Sequence, residues 1–398
     1  MNCRERIRLA LDFEEPDKVP SFEISIDNFN ICKHFNEEYV FQGMVKSYSD
    51  TYDLCKGDTG VLTKTILMAM ETRSYIKNTL NRHLNLFKKI GIDLAIVPFT
   101  GYILYPTICQ KTHFVDEYGR IFDLRKNPSD GMDLAYYKEG YFKSFEEFES
   151  FPALEVNTTR REKYFKGMKK GEKESQGKVS IIPAIWGIFE PTWQTFGFSV
   201  FSKLITKSKT IKKVFDTYGK FVVDLIKLFI DWGEDGAIFI MDDYGYKTGQ
   251  LMSPKNYRTY VFPWLKEACK NAHKGGVKII LHSCGDLYPI FEDIVNAGVD
   301  AIHPIEPTTA NLKYNIFELY EKFKNRITFV GNVSPQDLAD KEPKFIEAYT
   351  KNLIKKLAPE GGFILSSGHS INPSVKLENF LAMHNTLKKY GTYPISIN

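Results

Sequence analysis

Residues 277–306, VKIILHSCGDLYPIFEDIVNAGVDAIHPIE, predict one strand–helix–strand unit. Residues 277–281 form an apolar run without a helical period, bounded by glycines, which is typical of a strand buried on both faces. Residues 287–296 follow as an amphipathic helix that ends at Gly298, and residues 301–305 form a second buried strand. Parallel strands joined by a helix end at the same edge of a sheet, so this unit brings together His282, Cys284 and Glu306.

The His-x-Cys spacing places two kinds of metal ligand on one face of the first strand end. Alternate side chains of an extended chain point the same way, so the His282 imidazole and the Cys284 thiol share one space. Both groups are suited to zinc. A lone His-x-Cys is more often packed core or surface than a metal site. Its position at the carboxyl end of a βα strand is what favours zinc binding here.

The composition is that of a globular protein with a large core, since 43% of the 398 residues are hydrophobic and 26% are charged. The 53 basic and 49 acidic residues leave a net charge of +4, which is too small to predict nucleic-acid binding. The amino-terminal segment has acidic residues and no long apolar stretch, so we expect neither a signal peptide nor a membrane span. Six cysteines without paired spacing favour reduced thiols and a cytoplasmic location.

Eight apolar runs separated by helical patterns predict an α/β fold, a single (β/α)8 TIM barrel over residues 1–398. Residues 112–124 are predicted to form a hairpin outside the barrel, because Glu117-Tyr118-Gly119 separates two short β-favouring runs. Residues 128–178 are predicted to be loop or helix. The predicted barrel strands are residues 19–26, 92–99, 179–186, 237–241, 277–282, 301–305, 328–331 and 363–366.

A barrel carries its ligand site at the carboxyl ends of its strands, and those positions are rich here in metal ligands and aromatic residues. Adjacent carboxylates on a strand diverge, so we expect one of Asp242 and Asp243 to face the site. Trp186 and Trp193 belong to an aromatic cluster just beyond a strand end, where such side chains wall an apolar pocket. The strand-end positions are Glu23, Asp27, Thr100, Tyr102, Trp186, Glu190, Asp242, Asp243, Tyr244, His282, Cys284, Glu306, Asn332 and residues 366–369.

Several longer stretches resemble the uroporphyrinogen decarboxylase superfamily, which includes cobalamin-dependent methyltransferases. They are RERIRLALDFEEPDKVP (4–20), MSPKNYRTYVFPWLK (252–266), HSCG (282–285), GNVSPQDL (331–338) and GGFILSSGHSINPSVKLENFLAM (361–383). The resemblance covers nearly the whole chain and implies the (β/α)8 barrel of that superfamily.

The decarboxylase branch of the superfamily is a poor match at its substrate site. Its arginine-rich segment after the first strand is replaced by FEISIDNFN (22–30), and its catalytic aspartate after the second strand is absent from Phe99-Thr100-Gly101. The tyrosine that the decarboxylases carry after the third strand is missing from GIFEPTWQTFGF (187–198). A tetrapyrrole with eight carboxylates needs cationic partners, so we do not expect uroporphyrinogen to be decarboxylated.

The methyltransferase branch binds zinc through a His-x-Cys and a distant cysteine in a Gly-Cys-Gly-Ile context. His282 and Cys284 match the first two ligands, but the third position reads Gly368-His369-Ser370-Ile371. The third ligand would then be His369, or else Glu306 or Glu190. A His2Cys or His-Cys-Glu set suits zinc with one open position.

The resemblance implies transfer of a methyl group from a small donor to the cob(I)amide of a separate corrinoid protein. The aromatic wall favours a methoxyaromatic donor, and hence O-demethylation. Candidates for donating a proton or orienting the substrate are Asp243, Tyr244 and His303, and candidates for lining the substrate site are Trp186, Glu190, Trp193 and Asn332. Two alternatives stay open, a decarboxylase of a smaller acid and a non-catalytic ligand-binding protein. The sequence does not fix the oligomeric state, and a homodimer is one alternative.

Overall fold

A computed structural model describes residues 1–40, 42–97, 105–127 and 131–397. Eight of its strands form a closed parallel barrel, in the order β1-β14-β13-β12-β11-β8-β7-β2. The predicted (β/α)8 barrel is therefore confirmed. In chain order the strands are β1 Ser21–Phe22, β2 Leu94–Val97, β3 Pro106–Cys109, β4 His113–Asp116, β5 Arg120–Lys126, β6 Asp133–Gly140, β7 Ser180–Trp186, β8 Ala237–Met241, β9 Gly245–Tyr246, β10 Gly249–Gln250, β11 Lys278–His282, β12 Ala301–His303, β13 Thr328–Val333 and β14 Phe363–Ser367.

Helices surround the barrel and form most of the described connections between its strands. They bury their apolar faces against the outside of the sheet in one large core cluster. In chain order they are α1 Cys3–Leu11, α2 Phe29–His34, α3 Met44–Leu54, α4 Thr59–Met70, α5 Arg73–Ile90, α6 Phe145–Ser150, α7 Thr159–Glu174, α8 Phe189–Gln194, α9 Phe198–Leu204, α10 Ser208–Asp231, α11 Pro254–Asn256, α12 Phe262–Lys274, α13 Phe291–Ala297, α14 Ile316–Phe323, α15 Pro335–Asp340, α16 Pro343–Leu357 and α17 Leu377–Tyr390.

The barrel interior is a separate apolar cluster, to which the strands contribute alternate residues. Strand β8 supplies Ala237, Phe239 and Met241, which are two residues apart. Helix α1 packs Ile7, Ala10 and Leu11 against the same cluster, and Thr328 at the start of β13 donates to the carbonyl oxygen of Ala10. Helix α1 therefore covers the amino-terminal end of the barrel, opposite the carboxyl end at which barrels of this class carry their ligand sites. The inward members of the cluster are Phe22, Ile24, Leu94, Ile96, Ile182, Ala184, Ala237, Phe239, Met241, Ile280, Ala301, Val330 and Ile364.

Strands β3 to β6 form a four-stranded antiparallel sheet beside the barrel. Its centre is the β4–β5 pair, which turns through residues 117–119, with Gly119 at a φ of +80°. The prediction of loop or helix over residues 128–178 is wrong at β6, because Asp133–Gly140 pairs along the whole of β5. Apolar and polar residues alternate only weakly in DLAYYKEG (133–140), because both faces of this strand are partly exposed. The segment therefore has no clear strand pattern. Helices α3 and α4 pack against this sheet in a small apolar cluster of their own.

Several predicted strands are shorter than expected, and the one predicted at residues 301–305 is seen as Ala301–His303. Residues 19–26 form only the two-residue strand β1 and an isolated bridge from Ile26 to Ile371. The strand predicted at residues 92–99 is seen as Leu94–Val97, and its last two residues, together with the candidate site residues Thr100 and Tyr102, lie outside the described residues. Among the described residues, no helix has both the length and the apolar character needed to cross a membrane.

Candidate metal centre

The carboxyl ends of β11, β12 and β14 converge on one point of the barrel mouth. Strand β11 runs beside β12 with His282 level with His303, and β14 lies two strands further round the barrel. Because Ile280 and Ala301 face the interior, His282 and His303 fall on the same inward face two residues later. Cys284 continues that alternation past the strand end, and the loop after β14 brings His369 back over the mouth.

His282, Cys284 and His369 form a compact group of metal-ligating side chains. One ligand atom from each lies within 4.8 Å of those from the other two. The Cys284 sulfur lies 3.4 Å from Nε2 of His282, and the rings of His282 and His369 meet edge to face with centroids 5.6 Å apart. His282 is buried, Cys284 is half-buried and His369 is exposed. The group thus opens toward the solvent side of the mouth.

The donor set and its spacing fit zinc. Tetrahedral ligands at Zn–N of about 2.05 Å and Zn–S of about 2.3 Å are separated by about 3.6 Å, which is close to the 3.4 Å between Sγ and Nε2. The two separations that involve a His369 nitrogen also lie within 4.8 Å. Two imidazoles and one thiolate leave the fourth position of the tetrahedron open, which is the arrangement of catalytic zinc sites.

Burial shifts the pKa values of two of these ligands, His282 and Cys284. It holds the pKa of His282 well below its usual range, so this imidazole is neutral at pH 7. Burial also raises the pKa of the Cys284 thiol well above its usual range, and the nearby carboxylates of Asp243, Glu306 and Glu190 add to the effect. A bound divalent cation acts in the opposite direction on a thiol and favours the thiolate.

Asp243 and Glu190 are two of the carboxyl groups near the metal-ligating group. Oδ1 of Asp243 accepts a hydrogen bond of 2.8 Å from the backbone nitrogen of Cys284 and lies 3.6 Å from Nε2 of His282. Glu190 accepts from the backbone nitrogen of Asp243, at 3.4 Å. Burial raises the pKa of both carboxyl groups, and that of Glu190 is raised well above its usual range by burial together with the charge of Asp243.

Asp242 and Tyr244 point away from the site. The Asp242 carboxylate accepts from the backbone nitrogens of Ile188, Phe189 and Glu190, so it caps the first turn of α8. The Tyr244 ring packs against Phe189, Tyr257 and Phe262 in the layer between barrel and helices. Asp243 alone of the pair faces the mouth, as the alternation predicts, and the structure does not bring the Tyr244 side chain to the metal-ligating group.

His303, Glu306 and Asn332 are placed differently from one another. His303 is fully buried, and its Nδ1 lies 2.7 Å from Nδ1 of His282. Glu306 hydrogen-bonds the hydroxyl of Thr308 at 2.5 Å, and it is not among the three residues whose ligand atoms cluster within the described part of the chain. The Asn332 side-chain oxygen accepts from the backbone nitrogen of Ile305 at 3.0 Å, so it holds the neighbouring strand end.

The two tryptophans border the mouth from the side of β7 and α8. Trp186 is the last residue of β7, and the guanidinium of Arg120 stacks 4.2 Å from its ring centre. Trp193 on α8 packs against Tyr137 and Phe198, with centroid distances of 5.6 Å and 5.0 Å. Trp186 thus contacts the inner barrel cluster, while Trp193 joins the barrel to the antiparallel sheet.

Two buried groups near the mouth have partners that the sequence analysis did not identify. Arg120 of β5 is fully buried, pairs with Asp116 at 2.7 Å and donates to Gln194, whose amide donates to Glu190. Glu23 is fully buried against Ser367. Glu23 was visible as a strand-end residue, but nothing in the sequence identified its partner. Arg120 was not a candidate, because the sequence analysis placed it in the hairpin of residues 112–124, outside the barrel.

Comparison with known proteins agrees with this fold. A family model described as "Uroporphyrinogen decarboxylase (URO-D)" matches residues 128–390. The uroporphyrinogen decarboxylase of Coxiella burnetii (strain Dugway 5J108-111) is 24% identical over 196 residues, which are 48% of this chain and 48% of that protein. That of Schizosaccharomyces pombe is 26% identical over 152 residues, 35% of this chain and 40% of that protein. The chain spans about half the length, or less, of these curated relatives.

A solved structure, a methyltransferase from Methanosarcina mazei, matches 98% of this chain and 99% of its own with a TM-score of 0.67. At 18% identity this likeness shows a shared fold. The family model covers well over half of the chain. The chain therefore belongs to the uroporphyrinogen decarboxylase family.

Proposed function

We propose that the protein is a zinc-dependent methyltransferase that moves a methyl group from a small donor to the cob(I)amide of a separate corrinoid protein. The observation that carries the proposal is the group formed by His282, Cys284 and His369 at the barrel mouth. Its two nitrogens and one sulfur suit zinc, and its open side leaves room for a donor. The fold shared with the Methanosarcina mazei methyltransferase supports the proposal of methyl transfer.

Zinc, when bound, supplies Lewis-acid stabilisation to the heteroatom that loses its methyl group. Residues of the chain bind the ion and position the groups around it. His282, Cys284 and His369 hold the ion, while Asp243 fixes the Cys284 backbone through the 2.8 Å hydrogen bond. Glu190 lies beside Asp243 and offers a carboxyl group to the leaving heteroatom, which gains the electron pair of the broken bond and takes up a proton.

The donor that best suits this mouth has an aromatic body. Trp186 presents a half-buried ring at the end of β7, two strands round the barrel from β11, and Trp193 follows on α8 on the same side. Flat rings prefer offset or edge-on contact with aromatic ligands, and each such pair contributes about 0.5–1.5 kcal/mol beyond its buried area. We therefore propose a methoxyaromatic donor, and O-demethylation as the reaction.

A second candidate is decarboxylation of a smaller acid, which the family model and the names of the curated relatives favour. The mouth is not suited to a polyanion. Asp27, Glu190 and Asp243 are carboxyl groups near the metal-ligating residues, and Arg120 is already paired with Asp116. Neither these carboxyl groups nor the paired Arg120 supplies the free cationic partner that a substrate with many carboxylates needs, whereas a neutral donor needs none.

The test is formation of methylcobalamin from cob(I)alamin by purified, zinc-loaded protein, followed by absorbance. The panel consists of a methoxyaromatic acid, a neutral methoxyaromatic, methanol, a methylamine and a methyl thiol. We expect turnover with the methoxyaromatic members in the wild type and none in Cys284→Ala. Release of carbon dioxide from small acids without methyl transfer would support the decarboxylase instead, and saturable binding without turnover would support a ligand-binding protein.

A further inference from the structure

A chain of hydrogen bonds runs from His282 into the core of the barrel. Nδ1 of His282 lies 2.7 Å from Nδ1 of His303, and Nε2 of His303 lies 3.0 Å from the backbone carbonyl oxygen of Ser367. The Ser366 hydroxyl is also 3.3 Å from Nε2 of His303. His282 and His303 are at most 1% exposed, so both imidazoles are enclosed by protein.

The far end of this chain fixes where each proton lies. A backbone carbonyl oxygen only accepts hydrogen bonds, so Nε2 of His303 must carry the proton that it donates to Ser367. A neutral imidazole carries one proton, and burial disfavours a second. Nδ1 of His303 is therefore an acceptor, and Nδ1 of His282 must donate to it.

The same reasoning leaves Nε2 of His282 without a proton. That atom carries the free lone pair, and it faces the Cys284 sulfur at 3.4 Å. This is the form of histidine that binds a metal ion, and it is set before any ion arrives. The rings of Phe22 and Phe239 pack against His303 with centroids 5.3 Å and 6.1 Å away. Neither ring offers a hydrogen-bond acceptor that could replace Nδ1 of His303.

We propose that His303 is a positioning residue that holds His282 in the tautomer whose Nε2 binds the metal ion. Nε2 of His303 donates to the Ser367 carbonyl oxygen, so Nδ1 of His303 accepts from Nδ1 of His282. Nε2 of His282 is then left without a proton. His303 itself touches neither metal nor substrate. The inference rests on the metal site of the proposed function but not on the identity of the methyl donor or on methyl transfer.

The first experiment reads the tautomer directly in metal-free protein. Nitrogen-15 NMR of protein labelled at histidine distinguishes protonated from unprotonated ring nitrogens, and His282→Gln assigns the signals. We expect His282 as the Nδ1–H form and His303 as the Nε2–H form. The opposite form at His282 overturns the proposal, whatever the protein's activity.

The second experiment measures the affinity of zinc by competition with a chromophoric chelator. His303→Phe keeps the ring volume but removes the acceptor, and we expect a loss of about 10- to 100-fold in affinity. His303→Asn places an amide oxygen where Nδ1 was and should bind zinc within a few-fold of the wild type. The control, His83→Phe, removes an imidazole on α5 that packs at a tilt against Phe87, and should bind zinc as the wild type does.

The three variants separate a positioning role from a packing role. If His303→Asn binds zinc as weakly as His303→Phe, the ring itself matters rather than its acceptor, and the proposal is wrong. Unchanged affinity in His303→Phe would also overturn it. Should the wild type bind no zinc at all, the proposed metal site fails, while the NMR result still decides the hydrogen-bond chain. Thermal unfolding of each variant identifies any loss that comes from misfolding.

Discussion

Replacing Glu23 by glutamine should change how the protein's stability depends on pH. Glu23 is fully buried, and its carboxyl group contacts the backbone nitrogen and the hydroxyl of Ser367. The same hydroxyl also contacts the carbonyl oxygen of His369, and its single proton can serve only one of these two acceptors. A protonated Glu23 resolves the conflict, because it donates to the hydroxyl, which then donates to His369.

The magnitude follows from the shift in the pKa of Glu23, which burial raises from 4.5 to about 8. Between these values the folded protein keeps the proton and the unfolded chain loses it. The stability that this proton contributes is thus complete below about pH 4.5 and is lost as pH rises toward 8. Each pH unit over which only the unfolded chain loses this proton changes the free energy of unfolding by about 1.4 kcal/mol. Raising the pH from 5.5 to 7.5 should therefore lower the contribution of Glu23 to the free energy of unfolding by about 3 kcal/mol.

Glutamine has no such proton to lose, yet it keeps a donor for the Ser367 hydroxyl and an acceptor for the Ser367 nitrogen. The free energy of unfolding of Glu23→Gln relative to the wild type should therefore rise by about 3 kcal/mol between pH 5.5 and 7.5. Urea denaturation at both values measures it, with the exposed residue in Glu14→Gln as a control. Parallel pH profiles for wild type and Glu23→Gln would refute the argument, because Glu23 would then be ionised in the folded protein.

Three further predictions concern the surroundings of the mouth. Asp242→Asn should destabilise the protein by about 1–3 kcal/mol in urea denaturation, because one amide oxygen replaces a carboxylate that accepts three backbone N–H groups of α8. Arg120→Met should cost about 3–5 kcal/mol by the same measurement, since it leaves the buried carboxylate of Asp116 unpaired, and adding Asp116→Asn should recover part of that loss. Uroporphyrinogen incubated with the purified protein should yield no coproporphyrinogen above the rate without protein, as judged by chromatography of the oxidised porphyrins.

The parts of the fold that the sequence predicts are those with a strong local pattern. The apolar strand that ends at His282 is short, continuous and bounded by glycines, and it appears within one residue of its predicted start. Strand β6 has no such pattern, because a sheet at the surface exposes both of its faces in part. The register of pairing with β5 is a long-range property that single-chain periodicity does not contain.

The candidate site shows the same division between local and distant information. Alternation along a strand places His282 and Cys284 together, and it predicts that one of Asp242 and Asp243 faces the site. The structure shows that this residue is Asp243. Alternation also puts His303 on the inner face, but it cannot show that the ring meets another imidazole and a carbonyl oxygen from β14. Tyr244 and Asn332 were candidates because they lie at predicted strand ends. Only the packed structure shows that the Tyr244 ring packs against Tyr257 and that the Asn332 side chain binds the backbone of Ile305.

The central claim is that His282 and Cys284 bind a metal ion at the barrel mouth, and cobalt(II) substitution tests it most directly. Wild-type protein titrated with cobalt(II) should take up one ion per chain and develop a thiolate-to-cobalt charge-transfer band in the near ultraviolet, together with the strong visible bands of tetrahedral coordination. The charge-transfer band should vanish in Cys284→Ala, whose far-ultraviolet circular dichroism should stay unchanged. No uptake of cobalt by the wild type, or the same band in Cys284→Ala, would contradict the account.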